Sequence, residues 1–294
     1  MVVMACNKLD QLALSQCAVS APADEHNLIC LQQDAAILTV DTGLLNSCGA
    51  SGQNPEITTN NPCYPATGDK RLSEVDITLP GLSFSRHYRS LSGYFTSSLG
   101  ESWSHNHYRA WQFEGRSDTI ATFTDAVLNM GSGSQLRFIW SAERNRFVSD
   151  ENPSITAYQA GAEYRLDFGD GSYEVYDIQG NRVAAVQNLQ RTNYEYTDTQ
   201  LTKIIGHFGH SLSLDYDSQN RLISVTDHLG EVYGYEYDSK GRLGAMRYPD
   251  ETADNADNPR RIYHYEDADY PNHITGITDA NGCLLYTSPS PRES

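Results

Sequence analysis

The sequence predicts an all-β protein, and three observations support this fold class. Fifteen of the 19 tyrosines lie after residue 157, so that half of the chain is rich in a residue that favours strands. The tyrosines recur at a nearly constant interval. Around them apolar and polar residues alternate, which is typical of strands with one buried face, because successive side chains point to opposite sides of a sheet.

The interval is set by Tyr-Asp pairs, which begin at Tyr176, Tyr216 and Tyr237, with degenerate copies at Tyr196 and Tyr265. The successive spacings are 20, 20, 21 and 28 residues. A fixed period of this length indicates a repeat architecture, in which each unit buries its apolar face against its neighbours. We expect the five tyrosines to form the structural core of the repeats.

One repeat is predicted to be a β-hairpin. Tyr233, Tyr235 and Tyr237 lie two residues apart, so a strand places all three rings on one face. Leu212 and Leu214 begin the same pattern, with serine between them. The Asp that follows the repeat tyrosine, with Gly or Asn soon after it, suits a tight turn that needs a side-chain acceptor and a positive φ. Two strands of about seven residues and two turns fill the period.

The Tyr-Asp-x-x-Gly-Arg-Leu units, complete at residues 237–243, resemble the YD repeats of the RHS (rearrangement-hotspot) family. The segments at residues 61–63, 84–88 and 99–106 resemble the region that precedes the repeats in that family. The two motif sets occur in the order found in the family, and together the resemblance covers residues 60–282. It does not extend to the segment before residue 60.

Four segments are expected, and the resemblance implies the second and the third of them. Residues 1–59 are expected to be a leader or a weakly structured Cys-containing segment, and residues 60–157 an irregular RHS N-terminal β domain. Residues 158–282 are expected to form YD hairpins that build part of a long curled sheet, the open portion of a shell. Residues 283–294 have a different character, which is described below.

The resemblance also implies a function. RHS proteins wind such sheets into a hollow shell that encloses a toxic C-terminal domain and is exported for competition between bacteria or attack on hosts. It therefore implies a non-catalytic shell segment, secreted or at the cell surface, whose cargo is a C-terminal toxin domain outside this sequence. Secretion machinery and cell-surface glycans are further expected partners. The alternative is a carbohydrate-binding or adhesion module, since exposed tyrosine faces can stack on sugar rings.

Charge and hydropathy exclude other classes of protein. The formal net charge is −17, whereas binding to nucleic acid or to an anionic membrane favours a basic surface. No uninterrupted apolar run approaches the roughly 18–20 residues of a membrane helix. We therefore expect neither a nucleic-acid partner nor a membrane span.

No motif in the sequence predicts catalysis or a cofactor. His105 and His107 would share one strand face, but no carboxylate or Cys at ligand spacing accompanies them. Residues 167–169, Asp-Phe-Gly, match a kinase magnesium motif in letters alone, and no other kinase signature is present. We interpret them as part of a hairpin whose turn is at residues 170–171. The sequence thus predicts no enzyme, no cofactor and no metal site.

Five of the six cysteines precede residue 64 and include no C-x-x-C pair, which argues against a zinc site. Disulfides are the expected state for several cysteines in an extracellular protein. Cys48 and Cys63 flank a Gly/Asn/Pro-rich segment and are the expected pair. Buried, unpaired thiols in a reduced protein are the alternative.

The last twelve residues, 283–294, read CLLYTSPSPRES. Their Ser/Pro cluster cannot continue a strand ladder, because proline lacks an amide donor. The string resembles a translated sequencing adapter, so we expect it to be an artefact that follows a natural sequence ending near Gly282. On this hypothesis the chain is an N-terminal fragment of a longer protein, and a short disordered tail is the alternative.

Overall fold

A computed structural model describes residues 63–64, 69–91, 97–114, 125–250 and 258–287. All regular elements in these ranges are strands, so the fold class is all-β as predicted, and its dominant feature is a long antiparallel sheet. No helix in the described ranges is long and apolar enough to cross a membrane. The strands are β1 (Cys63–Tyr64), β2 (Asp69–Leu79), β3 (Leu82–Arg89), β4 (Trp103–His105), β5 (Arg109–Glu114), β6 (Asp125–Met130), β7 (Gln135–Ser141), β8 (Arg146–Ser149), β9 (Thr156–Ala160), β10 (Glu163–Asp167), β11 (Tyr173–Tyr176), β12 (Arg182–Gln187), β13 (Gln190–Thr197), β14 (Gln200–Ile205), β15 (Ser211–Tyr216), β16 (Leu222–Asp227), β17 (Val232–Tyr237), β18 (Leu243–Arg247), β19 (Arg260–His264), β20 (Gly276–Thr278) and β21 (Leu284–Thr287).

The chain divides into two compact units. The first unit contains the described residues up to Glu74, the segment His87–Ser104 and the chain from Tyr235 onward. The second unit contains Val75–Arg86 and His105–Gly234. The YD period therefore runs through both units.

The second unit is built on a meander in which β5 to β16 each pair antiparallel with the next strand along the chain. Burial alternates along these strands. In β15, Leu212 and Leu214 are buried whereas Ser213 and Asp215 are exposed. The alternation that predicted strands thus sorts apolar from polar side chains, and the prediction of hairpins is confirmed.

One hydrophobic core in the second unit lies on the buried face of β6 to β11. Leu128, Phe138 and Leu166 are each at most 1% exposed. The ring of Trp111 lies 5.4 Å from that of Phe138 and 5.7 Å, edge-on, from that of Tyr176. Burying each such side chain contributes roughly 1.5–3 kcal/mol, so this cluster is a main source of stability in the unit.

In the first unit, aromatic side chains pack around Trp103, which is 1% exposed. The indole ring lies 5.4 Å from the ring of Tyr88 and 4.7 Å from that of Tyr263. Its Nε1 donates a hydrogen bond of 2.9 Å to the hydroxyl of Tyr265. The strands β18 to β21 form an antiparallel ladder in this unit, and Tyr263 extends from its β19. The expectation that the last twelve residues lie outside the sheet is wrong for Leu284–Thr287, which pair with β20, because the prolines of that segment begin only at Pro289.

Gly131 lies in a close backbone contact within the second unit. A Cβ at this position would overlap the carbonyl oxygen of His105, so any larger residue forces the backbone to move. We expect Gly131→Ala to lower the free energy of unfolding by about 3 kcal/mol, measured by urea denaturation. Gly161→Ala is the control, since its φ is +69° but nothing lies within 4 Å, and we expect a loss of about 1 kcal/mol. Equal losses would contradict the overlap.

Candidate functional site

The turns that follow three of the repeat tyrosines, Tyr176, Tyr216 and Tyr237, share one hydrogen-bonded structure. In each, Oδ1 of the Asp accepts backbone N–H bonds of 2.8–3.0 Å from the residues two and four positions later. The residue three positions later has a left-handed φ of 61° to 87°, which favours Gly and Asn. The predicted turn chemistry is therefore confirmed. The complete examples begin at Asp177, Asp217 and Asp238, with Gly180, Asn220 and Gly241 in the left-handed position.

The arginine of the repeat closes the same turn. Arg221 Nε donates to Oδ2 of Asp217 at 2.7 Å, and Arg242 Nε donates to Oδ2 of Asp238 at 2.6 Å. The backbone N–H of Arg221, and then its guanidinium, hold the pKa of the Asp217 carboxyl below its ordinary value. The charged carboxylate is the form that these donors bind. The Asp and Arg of the repeat are thus explained by turn structure.

Asp238→Ala tests this turn. The substitution removes the acceptor of two backbone N–H groups and of the Arg242 guanidinium, so we expect the free energy of unfolding to fall by about 1–2 kcal/mol. Asp238→Asn keeps an oxygen that can accept the backbone bonds, and we expect less than half that loss. Chemical denaturation of both variants is the measurement. Equal losses would show that the charge matters and the turn bonds do not.

A repeat tyrosine in the second unit ties one hairpin to the preceding one. The hydroxyl of Tyr216 donates to the carbonyl oxygen of Leu201 at 2.7 Å. Leu201 is the cross-strand partner of Tyr196, the repeat tyrosine 20 residues earlier. Burial raises the pKa of Tyr216 and raises that of Tyr196 to about 12. Both phenols are therefore neutral at physiological pH.

The first unit uses its repeat tyrosines in the same way. The hydroxyl of Tyr265 donates to the carbonyl of Leu243 at 2.8 Å, and that of Tyr237 donates to the carbonyl of Ser98 at 3.1 Å. The guanidinium of Arg242 lies 4.4 Å over the ring of Tyr265. Of the five repeat tyrosines, Tyr176 is fully buried at 1% exposure, while the other four are half-buried with their hydroxyls turned toward the backbone or a neighbouring ring.

A charge cluster is buried in the second unit around Glu174. Its carboxylate accepts hydrogen bonds from Arg109 Nη2 at 2.9 Å and Arg182 Nη1 at 2.6 Å. It also accepts one from the hydroxyl of Tyr176. Burial alone would raise the pKa of this carboxyl, but the two guanidinium groups outweigh it and lower the pKa to about 2. Glu174 is therefore ionised at all physiological pH values.

Two further groups hold the guanidinium of Arg182 in place. Its Nη2 donates to the carbonyl oxygen of His107 at 2.9 Å, and its guanidinium lies 4.1 Å over the ring of Tyr194. The His107 ring contacts the carbonyl oxygen of Ser83 through Nε2 at 2.7 Å. Burial, and then the charge of Arg182, hold the pKa of His107 well below its ordinary value, so the imidazole is neutral.

The two histidines singled out as metal candidates are packing residues in this structure. His105 ends β4 and His107 lies in the turn after it, and both are at most 8% exposed. Their ring centroids are 6.4 Å apart, and both pack on Phe84, at 5.1 and 6.0 Å. In the ranges that the structure describes, no three metal-ligating side chains lie close enough together to hold an ion.

The structure does not test the predicted disulfide. Cys48 is outside the described residues, and of Cys63 only the backbone, in β1, is described. The pairing therefore stays a prediction. Cys283 is free and exposed.

A meander of hairpins with bonded Tyr-Asp turns defines a YD-repeat protein, and the comparison with family models agrees. The RHS Repeat model matches residues 216–253, and the model of a domain of unknown function (DUF6531) matches residues 60–138. These two matches support an RHS/YD-repeat protein.

The solved structures that the chain matches include the complexes TcdB2-TccC3-Cdc42 and TcdB2-TccC3-TEV. Each is 13% identical over 73% of this chain, with TM-scores of 0.30 and 0.29. This chain spans only 14% of either of those chains. A porin-like protein from Bacteroides uniformis is 9% identical over 71% of this chain and 88% of its own, with a TM-score of 0.24. No curated protein matches the chain.

Proposed function

We propose that this chain is a non-catalytic wall segment of an RHS-type shell that encloses and delivers a toxin domain lying outside this sequence. The observation that carries the proposal is the bonding of the repeat tyrosines. The hydroxyls of Tyr216 and Tyr265 donate hydrogen bonds to backbone carbonyls of other hairpins. A sheet whose polar side chains hold its own strands together is suited to a mechanical role.

The state of the buried carboxylate supports a role without catalysis. A general base needs a pKa near the working pH and a free oxygen facing a substrate. The pKa of Glu174 is about 2, and both of its oxygens accept hydrogen bonds from side chains of the fold. This carboxylate serves to neutralise buried arginines, and we propose that the segment has no enzymatic activity of its own.

The alternative, a carbohydrate-binding module, needs tyrosine faces open to a sugar ring. Several faces are instead covered by guanidinium groups of the same chain. Arg165 lies 3.7 Å over the ring of Tyr173, and Arg146 lies 4.8 Å over the ring of Tyr158. This arrangement weighs against stacking on glycans and favours the wall.

We further propose that the intact protein is secreted or held at the bacterial cell surface.

Sequencing the source locus beyond codon 282 tests the proposal. We expect further Tyr-Asp units at a period near 20 residues, followed by a distinct C-terminal domain, because a shell needs many hairpins and a cargo. A stop codon soon after codon 282 would contradict the shell. A glycan array probed with the 294-residue chain distinguishes the alternative, since specific binding there would favour an adhesion module.

A further inference from the structure

Two histidine rings are in contact at one end of the sheet in the second unit. His210 directly precedes β15 and His228 directly follows β16, and these two strands are paired. The centroids of the two imidazole rings are 4.4 Å apart, with an angle of 58° between the ring planes. His228 is exposed and His210 is half-buried, so an ion in the solvent can reach this pair.

The backbone determines which nitrogen of His210 can bind a ligand. Nδ1 of His210 lies 3.2 Å from the carbonyl oxygen of Pro80, in the turn between β2 and β3. Because a carbonyl oxygen only accepts, Nδ1 carries the proton and Nε2 of the neutral ring keeps its lone pair. Histidines that bind metals almost always donate their other N–H to a carboxylate or a backbone carbonyl, which fixes the tautomer and the ring orientation. Within the described parts of the chain, no hydrogen bond involves Nε2 of His210 or either ring nitrogen of His228.

The distance between the rings suits an ion that bridges them. A Zn–N bond to histidine is about 2.0–2.1 Å long, so the two nitrogens that bind one ion are separated by no more than about 4 Å. Rings in contact meet this limit once the exposed side chain of His228 turns a nitrogen towards the ion. Asp227 and Glu231 belong to the turn that contains His228, and their negative charge favours a cation there.

We propose that His210 and His228 form a two-histidine site for a divalent transition-metal ion with the chemistry of Zn²⁺. The ion would link the turn between β14 and β15 to the turn between β16 and β17. Water completes the coordination, since the described residues contain no group of three ligating side chains that could hold an ion. Imidazole suits Zn²⁺, whereas Ca²⁺ requires oxygen ligands. The site goes beyond the wall function proposed above and does not depend on it.

Isothermal titration of the 294-residue chain with zinc chloride tests the site, after alkylation of the cysteine thiols, which are themselves zinc ligands. We expect saturable binding of zinc and no binding of calcium chloride at the same concentrations. Absence of saturable zinc binding would overturn the proposal. Calcium binding of equal affinity would also overturn it, because it would indicate a carboxylate site.

His228→Ala removes one of the two ligands. The residue is exposed, and its ring contacts only that of His210 among the described residues, so we expect the variant to fold. Loss of an outer-shell partner costs about 10–100-fold in metal affinity, so we expect the loss of a ligand to weaken zinc binding by at least about tenfold. An affinity equal to that of the parent chain would overturn the proposal.

His207→Ala is the matched control. His207 is an exposed histidine in the same turn as His210, but its ring packs against Phe208, at 5.0 Å. We expect this variant to bind zinc as tightly as the parent chain does. Equal weakening in His207→Ala and His228→Ala would overturn the assignment, because the number of exposed imidazoles would then govern binding.

Nuclear magnetic resonance of the parent chain identifies the ligands without any substitution. In long-range ¹H–¹⁵N spectra, zinc is expected to shift the Nε2 resonance of His210 and one ring-nitrogen resonance of His228. Both shifts are expected to saturate at the same zinc concentration as the calorimetric titration. Resonances of the two rings that stay fixed at saturating zinc would overturn the proposal.

Discussion

Replacing Glu174 with glutamine is expected to lower the free energy of unfolding by about 3–5 kcal/mol, because it leaves two buried guanidinium groups without a counter-charge. The side chains of Arg109 and Arg182 are 16% and 3% exposed. Water therefore cannot replace the negative charge and the hydrogen-bond acceptors that the carboxylate provides. Urea denaturation followed by far-UV circular dichroism measures the loss. An effect below about 1 kcal/mol would contradict the buried-pair assignment.

Glu195→Gln is the matched control for this substitution. Glu195 is an exposed carboxylate on β13, and we expect its neutralisation to change stability by no more than about 0.5 kcal/mol. The two variants alter the net charge equally. A difference between them therefore reports on burial and pairing alone.

The same carboxylate predicts how stability depends on pH. Its pKa is about 2 in the folded chain and about 4.3 in the unfolded chain, so the folded state favours the ionised form. The stabilisation is fully present above the unfolded pKa and is lost as the pH falls through the folded pKa. We expect the parent chain to lose stability on acidification between these two values more steeply than Glu174→Gln, measured by thermal melting at a series of pH values. Parallel curves would contradict this.

Tyr176→Ala is expected to lower the free energy of unfolding by about 3–5 kcal/mol, because it leaves a cavity in the core of the second unit. The side chain is 1% exposed, its ring meets Trp111 edge-on at 5.7 Å, and its hydroxyl donates to Glu174. Tyr176→Phe keeps the ring and removes only the hydroxyl, so we expect about 1 kcal/mol. Denaturation curves of both variants separate packing from hydrogen bonding.

Tyr270→Ala is the control, because it removes a tyrosine that is not buried. This residue is 39% exposed, and its ring stacks on that of His273 at 4.9 Å. We expect its replacement to cost less than about 1 kcal/mol. If Tyr176→Ala cost no more than this control, the repeat tyrosines would be surface residues and the wall assignment would be wrong.

Local sequence accounts for the repeats and their turns. In Asp217 and its turn, every partner of the carboxylate lies within four residues, so the spacing of Asp, Asn and Arg contains the whole interaction. The acceptor of the Tyr216 hydroxyl could not be predicted from the local sequence. Leu201 pairs with Tyr196 across a shift of register, and equivalent shifts precede Tyr176 and Tyr216, so the shift belongs to the repeat. The acceptor itself lies 15 residues from Tyr216 on another strand, outside the repeat motif.

The buried charge cluster lay beyond sequence reasoning for a second reason. In β11 the core-facing residues are Glu174 and Tyr176, whereas Tyr173 and Val175 are only half-buried. A charged residue on the buried face opposes the alternation rule. The rule fails because Arg109, which lies 65 residues earlier in the chain, is adjacent to the carboxylate in the sheet. This neighbour can be predicted only when the register of every intervening strand pair is known.

The ionisation of the repeat tyrosines in the folded chain tests the central claim, that these side chains belong to the wall and do not face a ligand. Incorporated ¹³Cζ-tyrosine, followed by NMR across the alkaline range and assigned with Tyr→Phe variants, reports each phenol. We predict a pKa of about 12 for Tyr196 and a raised pKa for Tyr216, both because of burial. Midpoints near the value of about 10 for a solvated tyrosine would contradict the account.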